Sequence, residues 1–217
     1  MQLSERTVEV LTNFSTINNS ILVKPGNILR TVSQQKTVMV KAEVAETFQR
    51  EFAIYDLKRF LGVVSLFKNP DLTFSDKFVT IESEGQSVKY VYADPSSIGV
   101  LPPTKEISFP TPDVEFLVKQ EQLTAVLKAG SVLQMPEMAV VGKDGVITLR
   151  ALNSKDPSAD EYKVAVGETD NDFRVIFKPE YLKFLPDEYN VAITLKGIAK
   201  FSNPRVEYFV ATESKEG

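Results

Sequence analysis

The clearest helical pattern in the chain lies in FAIYDLKRFLGVVSLF, residues 52 to 67. Apolar residues recur there at three- and four-residue spacing, which predicts a helix over residues 56 to 67 with one buried face. That face consists of Leu57, Phe60, Leu61, Val64 and Phe67. The opposite face carries Lys58 and Arg59 beside Gly62, with no carboxylate next to them. This basic face is either an ordinary solvated surface or a contact for an anionic partner, because surface helices more often mix charges of both signs.

The first half of the chain combines this helix with a second helix and several strands. LSERTVEVLTNFSTI predicts an N-terminal helix with Ser4 as its N-cap. Its apolar face consists of Leu3, Thr7, Val10, Leu11, Phe14 and Ile17. ILVKPGNILRTV predicts a hairpin that turns at residues 24 to 27, and strands with period-2 alternation follow around TVMVKAEV, LTF, FVTIES and VKYVYA.

The second half repeats the same order of elements. The strand VEFLVK precedes the helix QEQLTAVLKAGSVL, and MAVVGKDGVITLRAL predicts a hairpin that turns at residues 143 to 145. KPEYLKFL, residues 178 to 185, predicts a short helix equivalent to the one at 56 to 67, and further strands follow it. The repeat predicts a duplicated α+β domain in which two helices cover one face of antiparallel sheets.

A proline-rich segment separates the two halves. DPSSIGVLPPTKEISFPTPD, residues 94 to 113, contains five prolines and cannot form a helix. The predicted organisation is domain one over residues 1–93, a connector over 94–113 and domain two over 114–217.

Composition narrows the range of possible functions. The chain of 217 residues has 29 acidic and 25 basic residues and contains neither Cys nor His. These absences exclude disulfides, thiolate zinc sites, cysteine nucleophiles and histidine general bases. No nucleotide-binding or hydrolase motif occurs, so we expect no catalytic residue, metal or cofactor. Acidic pairs such as Glu82 with Glu84, or Asp170 with Asp172, leave a carboxylate-only enzyme as a remote alternative.

Several stretches, in this order, resemble a known family. LSERTVEVLTNFSTINNSILVKPG, FAIYDLKRFLGVVSLF, the DPS that opens the connector and QEQLTAVLKAGSVLQ are similar to the sliding clamps of T-even-type bacteriophages. The resemblance implies a processivity factor of the phage DNA polymerase, a homotrimeric ring of six domains with helices lining the hole. It also implies sequence-independent contact with duplex DNA and a separate ATP-driven clamp loader, and it leaves contacts with transcription factors open. A phage structural protein of the tail or baseplate is the alternative.

The resemblance assigns roles to particular residues. Helices that line the hole would present cations to the phosphates, whereas the first helix offers mostly Glu and Thr on its polar face. The candidate DNA-facing residues are Lys58, Arg59, Lys128, Lys183 and Arg6. Without a signal peptide or a membrane span in the sequence, we expect the protein in the cytoplasm of the infected host.

Two further surfaces are predicted. The connector would border a pocket for short peptide tails of replication proteins, unless its apolar residues simply cover the domain beneath. The candidate pocket residues are Ile98, Val100 and Leu101, with Tyr208 and Val210 as a second wall. Ring closure would pair strand 88–93 of one subunit with strand 162–166 of the next. The candidate interface residues are Val88, Tyr90, Tyr92, Tyr162, Val164 and Val166.

Overall fold

The computed structural model describes residues 1 to 213 and divides the chain into two compact units, Met1–Glu106 and Ile107–Gly217. The boundary falls inside the predicted connector. None of the helices in the described residues is long and apolar enough to cross a membrane.

Unit 1 contains two helices and three small antiparallel sheets. Its elements are α1 (Glu5–Ile17), β1 (Ile21–Val23), β2 (Gly26–Val32), β3 (Val38–Phe48), β4 (Phe52–Ile54), α2 (Leu57–Val64), β5 (Asp71–Phe74), β6 (Phe78–Ser83) and β7 (Gln86–Val91). β1 pairs with β4, β2 pairs with β3, and β5, β6 and β7 form a three-stranded sheet in that order. The predicted hairpin between β1 and β2 is therefore wrong: the chain turns at Gly26, whose φ is 115°, and the two strands join different partners.

The two helices of unit 1 confirm the periodicity and the predicted cap. Ser4 caps α1 by accepting the main-chain N–H of Thr7, and Val10, Leu11 and Phe14 are buried. α2 buries Leu57, Phe60 and Val64. Burial of each such large side chain contributes about 1.5–3 kcal/mol, which explains why these short helices hold in place.

Helix α2 ends three residues before the predicted limit of Phe67. The N–H groups of Leu66 and Phe67 donate three residues back, to Val63 and Val64, so that the last turn tightens. Asn69 then adopts a φ of 47°, which a helix cannot continue through.

Unit 2 contains one helix and two antiparallel sheets. Its elements are β8 (Val114–Val118), α3 (Gln120–Val132), β9 (Glu137–Lys143), β10 (Val146–Leu152), β11 (Tyr162–Glu168), β12 (Phe173–Phe177), β13 (Tyr189–Thr194), β14 (Ile198–Ser202) and β15 (Val206–Ala211). One sheet has the order β11-β10-β9-β12, and in the other β13 pairs with β8 and β14, and β14 with β15. The predicted turn at 143 to 145 joins β9 and β10, with Asp144 and Gly145 both at positive φ.

The helix predicted over residues 178 to 185 is wrong. Only a single 3-10 turn forms there, Pro179–Tyr181, and Leu182 leaves helical geometry. The main chain of Leu185 bonds to side chains instead, because its N–H donates to the Tyr208 hydroxyl and its C=O accepts from the Tyr189 hydroxyl. Tertiary hydrogen bonds thus replace the helical ones, and α3 is the helix that unit 2 provides within the described residues.

Candidate functional site

The basic pair of α2 is exposed on the helix, as predicted. Lys58 and Arg59 are solvent-exposed, and neither forms an ion pair within the part of the chain that the structure describes. The nearest carboxylate, Asp56, caps the helix by accepting the N–H of Arg59 at 2.9 Å. That bond and one from the Asn19 amide hold the pKa of Asp56 below its usual range. Asn19 also accepts the N–H of Lys58, so the start of α2 is tied to the end of α1.

The other predicted cations differ in their surroundings. Lys128 is exposed on α3, opposite the buried Leu123 and Val126. Lys183 is exposed, but it follows the 3-10 turn and does not lie on a helix equivalent to α2.

Arg6 contributes little free positive charge at the surface of α1. Its side chain is 25 % exposed and pairs with Glu9 of the same helix at 3.2 Å. The exposed positions of α1 also include Glu5 and Thr12, and α3 carries Glu121 as well as Lys128, so the basic character of the helices rests on α2.

The connector forms a narrow cleft with β1 and β2 inside unit 1. This partner cleft, as we call it, measures about 80 Å³. It is lined by Leu22, Lys24, Ile28, Arg30, Leu101, Pro102, Pro103 and Thr104. Leu101 lines it and is 48 % exposed. Its two cations, Lys24 and Arg30, were missed; alternation along β2 is a signal for Arg30 alone, since Lys24 precedes that strand.

The remaining residues predicted for the pocket lie elsewhere. Ile98 is buried in unit 1 at 6 % exposure and anchors the start of the connector, and Val100 is half-buried outside the cleft lining. Tyr208 and Val210 are each 0 % exposed within unit 2, so they cannot form a wall that a partner touches. The prediction for these two is wrong because β15 is a core strand.

An ion-pair cluster fastens the connector to β2 and β3 at Glu106. The Glu106 carboxylate accepts from Arg30 at 2.6 Å and from Lys41 at 2.9 Å. The bond from Lys41, with a smaller effect of Arg30, holds the pKa of Glu106 below its usual range. Arg30 therefore belongs both to this cluster and to the cleft lining.

Both strands predicted to join subunits are edge strands of their own sheets. β7 ends the sheet β5-β6-β7, and β11 ends the sheet β11-β10-β9-β12. All six predicted interface side chains are half-buried: Val88, Tyr90, Tyr92, Tyr162, Val164 and Val166. An edge strand with such side chains is a surface prone to pairing with another chain.

Side chains of both edge strands face the helices of their own units, and Tyr92, just past the end of β7, packs on β4. Tyr90 meets the Phe60 ring of α2 at 5.3 Å, and Tyr92 stacks on Phe52 at 5.1 Å. Burial of its hydroxyl raises the pKa of Tyr92 to about 12. In unit 2, Val164 lies opposite Leu149, and α3 packs on the same sheet. Each edge strand thus presents an apolar row on the helical side.

Two family profiles match most of the chain. The family described as "DNA polymerase processivity factor" matches residues 4–98, and the one described as "gp45 sliding clamp, C terminal" matches residues 115–214.

Curated relatives match nearly the full length. A sliding clamp of Vibrio phage KVP40 is 34 % identical over 99 % of this chain and 100 % of its own length. The sliding clamps of Enterobacteria phage T4 and Escherichia phage RB69 are 32 % and 30 % identical, each over 99 % of this chain and 97 % of their own length.

Solved structures with the same fold include two PCNA proteins. A. fulgidus PCNA, in a structure with the C-terminal region of FEN-1, aligns with a TM-score of 0.73 at 14 % identity, covering 100 % of this chain and 98 % of that one. PCNA from Thermococcus kodakaraensis aligns with a TM-score of 0.69 at 15 % identity, covering 96 % of each chain. At such identities the likeness shows the fold alone.

Proposed function

The chain belongs to the phage sliding-clamp family, and from this premise we propose how it acts as a DNA polymerase processivity factor: three copies close a ring around duplex DNA and tether the polymerase to it. The family is non-enzymatic, so neither the carboxylate-only enzyme nor the phage structural protein is supported. The observation that carries the proposal is the exposed basic pair of α2, which has no ion-pair partner in the described residues.

The helical faces supply the contact with DNA in this proposal. Duplex DNA presents roughly one phosphate charge per 1.7 Å of axis, and diffuse cations attract it without reading its sequence. Lys58, Arg59 and Lys128 supply such cations on exposed helix positions. Lys183, which is exposed after the 3-10 turn of unit 2, adds a further one. Threefold symmetry multiplies each cation by three, while their contacts stay weak enough for sliding.

Ring closure follows from the two edge strands. β7 of one subunit adds to β11 of the next, which extends both sheets and satisfies main-chain groups that are otherwise solvated. The apolar rows that both strands carry on their helical sides then meet across the junction. The free strand edges, a liability for aggregation, are removed in the closed ring.

The partner cleft is the docking site for replication proteins in this proposal. Leu22, Ile28 and Leu101 make it apolar, and its lining is shared between the connector and β1–β2. A short segment of the phage polymerase would dock there. Opening a closed ring around DNA requires an ATP-driven loader, a separate protein, and the complex would work in the cytoplasm of the infected bacterium.

Native mass spectrometry together with primer extension tests the proposal. We expect a trimer of the 24.2 kDa chain, and long products from the polymerase of the same phage only when clamp and loader are both present. A chain that stays monomeric at micromolar concentration and leaves product length unchanged would contradict it.

A further inference from the structure

The connector is held to unit 1 at two points, Ile98 and Glu106. Residues 99 to 105, which we call the strap, make no main-chain hydrogen bond among the described residues. Ile98 fixes one end by burial, and Glu106 fixes the other through Arg30 and Lys41. The second attachment is electrostatic and exposed, since Glu106 is 67 % accessible. It is therefore the end that releases more easily.

The partner cleft beneath the strap is small, with a volume of about 80 Å³. Movement of the strap away from β1 and β2 would enlarge it for an apolar side chain of a partner.

The cleft lining carries positive charge without a carboxylate. Lys24 and Arg30 line it beside apolar residues, whereas Glu106 and Lys41 lie outside the lining. Arg30 thus faces the space that a partner occupies and at the same time bonds to Glu106 at 2.6 Å. A guanidinium holds a carboxylate in a fixed geometry, so a second carboxylate has to compete for it.

We propose that the Glu106 carboxylate competes with partner proteins for the Arg30 guanidinium. Glu106 bonds to Arg30 and keeps the strap against β1 and β2. A partner segment that combines apolar side chains with a carboxylate displaces Glu106 from Arg30. The inference rests on the proposed partner cleft and adds to it the chemistry of the partner and the way the cleft opens. The apparent affinity for a partner is the intrinsic affinity reduced by the fraction of clamps whose strap is released.

The roles of Arg30 and Lys41 differ in a way that can be measured. Lys41 strengthens the attachment of Glu106 and lies outside the cleft lining, so Lys41→Gln should tighten partner binding, as Glu106→Gln should. Arg30 serves both the attachment and the partner, so Arg30→Gln should weaken the binding of a carboxylate-bearing partner. The expected gains are roughly two- to fivefold in Kd, as an exposed ion pair allows.

The test uses fluorescence anisotropy with a labelled peptide of about twelve residues from the C-terminus of the polymerase of the same phage. One form keeps all its carboxylates, and the other has an amidated end with Asp and Glu changed to Asn and Gln. Glu106→Gln and Lys41→Gln should bind the first form more tightly than the wild type does, and Arg30→Gln should bind it more weakly. For the neutral form, the Kd of Arg30→Gln should lie closer to that of the wild type. Glu43→Gln, an exposed carboxylate on β3 that bonds to Asn27, is the matched control and should change nothing.

Strap release is also measured without a peptide. The chain has no Cys, so Lys105→Cys allows a single nitroxide label on the strap. Its EPR spectrum should show a more mobile label when Glu106→Gln is added, and an unchanged spectrum would overturn the proposal. An Arg30→Gln variant that binds the carboxylate form more tightly, as Lys41→Gln does, would overturn it as well.

Failure of the cleft itself has a different signature. Leu101→Asp should abolish peptide binding in every background, because it places a carboxylate in the apolar lining. If Leu101→Asp binds the peptide as the wild type does, the cleft is not the docking site. If Leu101→Asp loses binding but Glu106→Gln has the Kd of the wild type, only the competition by Glu106 is refuted.

Discussion

At the scale of single residues, Glu46 shows how a polar side chain from a strand completes a helix. It lies on β3 with 8 % exposure and accepts both the main-chain N–H of Ser4 and the hydroxyl of Thr7 at the start of α1. Burial raises the pKa of Glu46, but the bonds from Thr7 and Ser4 outweigh it and leave the pKa below its usual range. The carboxylate also lies at the positive end of the α1 dipole.

Replacing Glu46 with Gln should lower the free energy of unfolding by about 1–2 kcal/mol at pH 7, because an amide is a weaker acceptor for both donors. Since the pKa is lower in the folded than in the unfolded state, the carboxylate stabilises the fold above its unfolded pKa. That stabilisation is lost as the pH falls through the folded pKa. Urea unfolding at pH 7 and at a series of acidic pH values measures the difference in the free energy of unfolding between the two proteins. This difference should become smaller as the pH falls.

The control for this prediction is Glu43→Gln on the same strand, whose side chain is exposed. It should change stability by less than about 0.5 kcal/mol at either pH. Equal effects of the two substitutions would show that Glu46 has no special role in capping α1.

At the scale of elements, β11 lies at a sheet edge, which is why we propose it for the junction between subunits. Its residues pair with β10 on one side, so the main-chain groups on the other side are those that a second strand can bond. Consecutive residues of a strand direct their N–H groups to opposite sides.

Proline at Lys163 and at Val164, made separately, should therefore have different consequences. One substitution removes an N–H that bonds to β10 and disturbs the sheet of its own unit. The other removes an N–H on the free side and leaves that sheet intact. Circular dichroism identifies the variant with the native fold, and we expect it to be monomeric by light scattering; a native-like variant that stays trimeric would exclude β11 from the junction.

At the scale of the whole molecule, the net charge of the chain and the charge on the exposed face of α2 have opposite signs. The chain has a net charge of −4, yet the exposed positions of α2 present Lys58 and Arg59 together. A net negative charge disfavours nonspecific binding of DNA elsewhere on the protein. Affinity for DNA can stay low, because an enclosed duplex cannot leave a ring sideways.

Changing Lys58 and Arg59 together to Glu should reduce clamp-dependent synthesis sharply at low salt while the trimer persists. Both side chains point away from the buried face of α2, so stability should change by no more than about 0.5 kcal/mol per residue. The loss should diminish as salt rises, because the Debye length is about 10 Å at 0.1 M. Product length in primer extension across a salt series is the measurement.

Lys155→Glu with Arg205→Glu provides the matched charge reversal on exposed loops of unit 2. This control should support synthesis as the wild type does. Long products from the α2 variant at low salt would show that its basic face is only a solvated surface.

Local sequence determined the helices α1, α2 and α3, the turn at residues 143 to 145 and the duplicated plan of strands. Caps, turn residues and apolar periodicity act over a few positions, so they can be read from neighbouring residues. Composition likewise excluded cysteine and histidine chemistry. The exposure of Lys58 and Arg59 follows from the same local pattern.

Only the tertiary structure decided the features that depend on distant residues. Residues 178 to 185 follow a helical pattern, but hydrogen bonds to Tyr189 and Tyr208 hold Leu185 in another conformation. Glu106 meets Arg30 and Lys41 across 76 and 65 residues of chain, and no periodicity encodes such a contact. The burial of β15 likewise depends on which strands flank it, because an alternating strand reads alike at an edge and in a core.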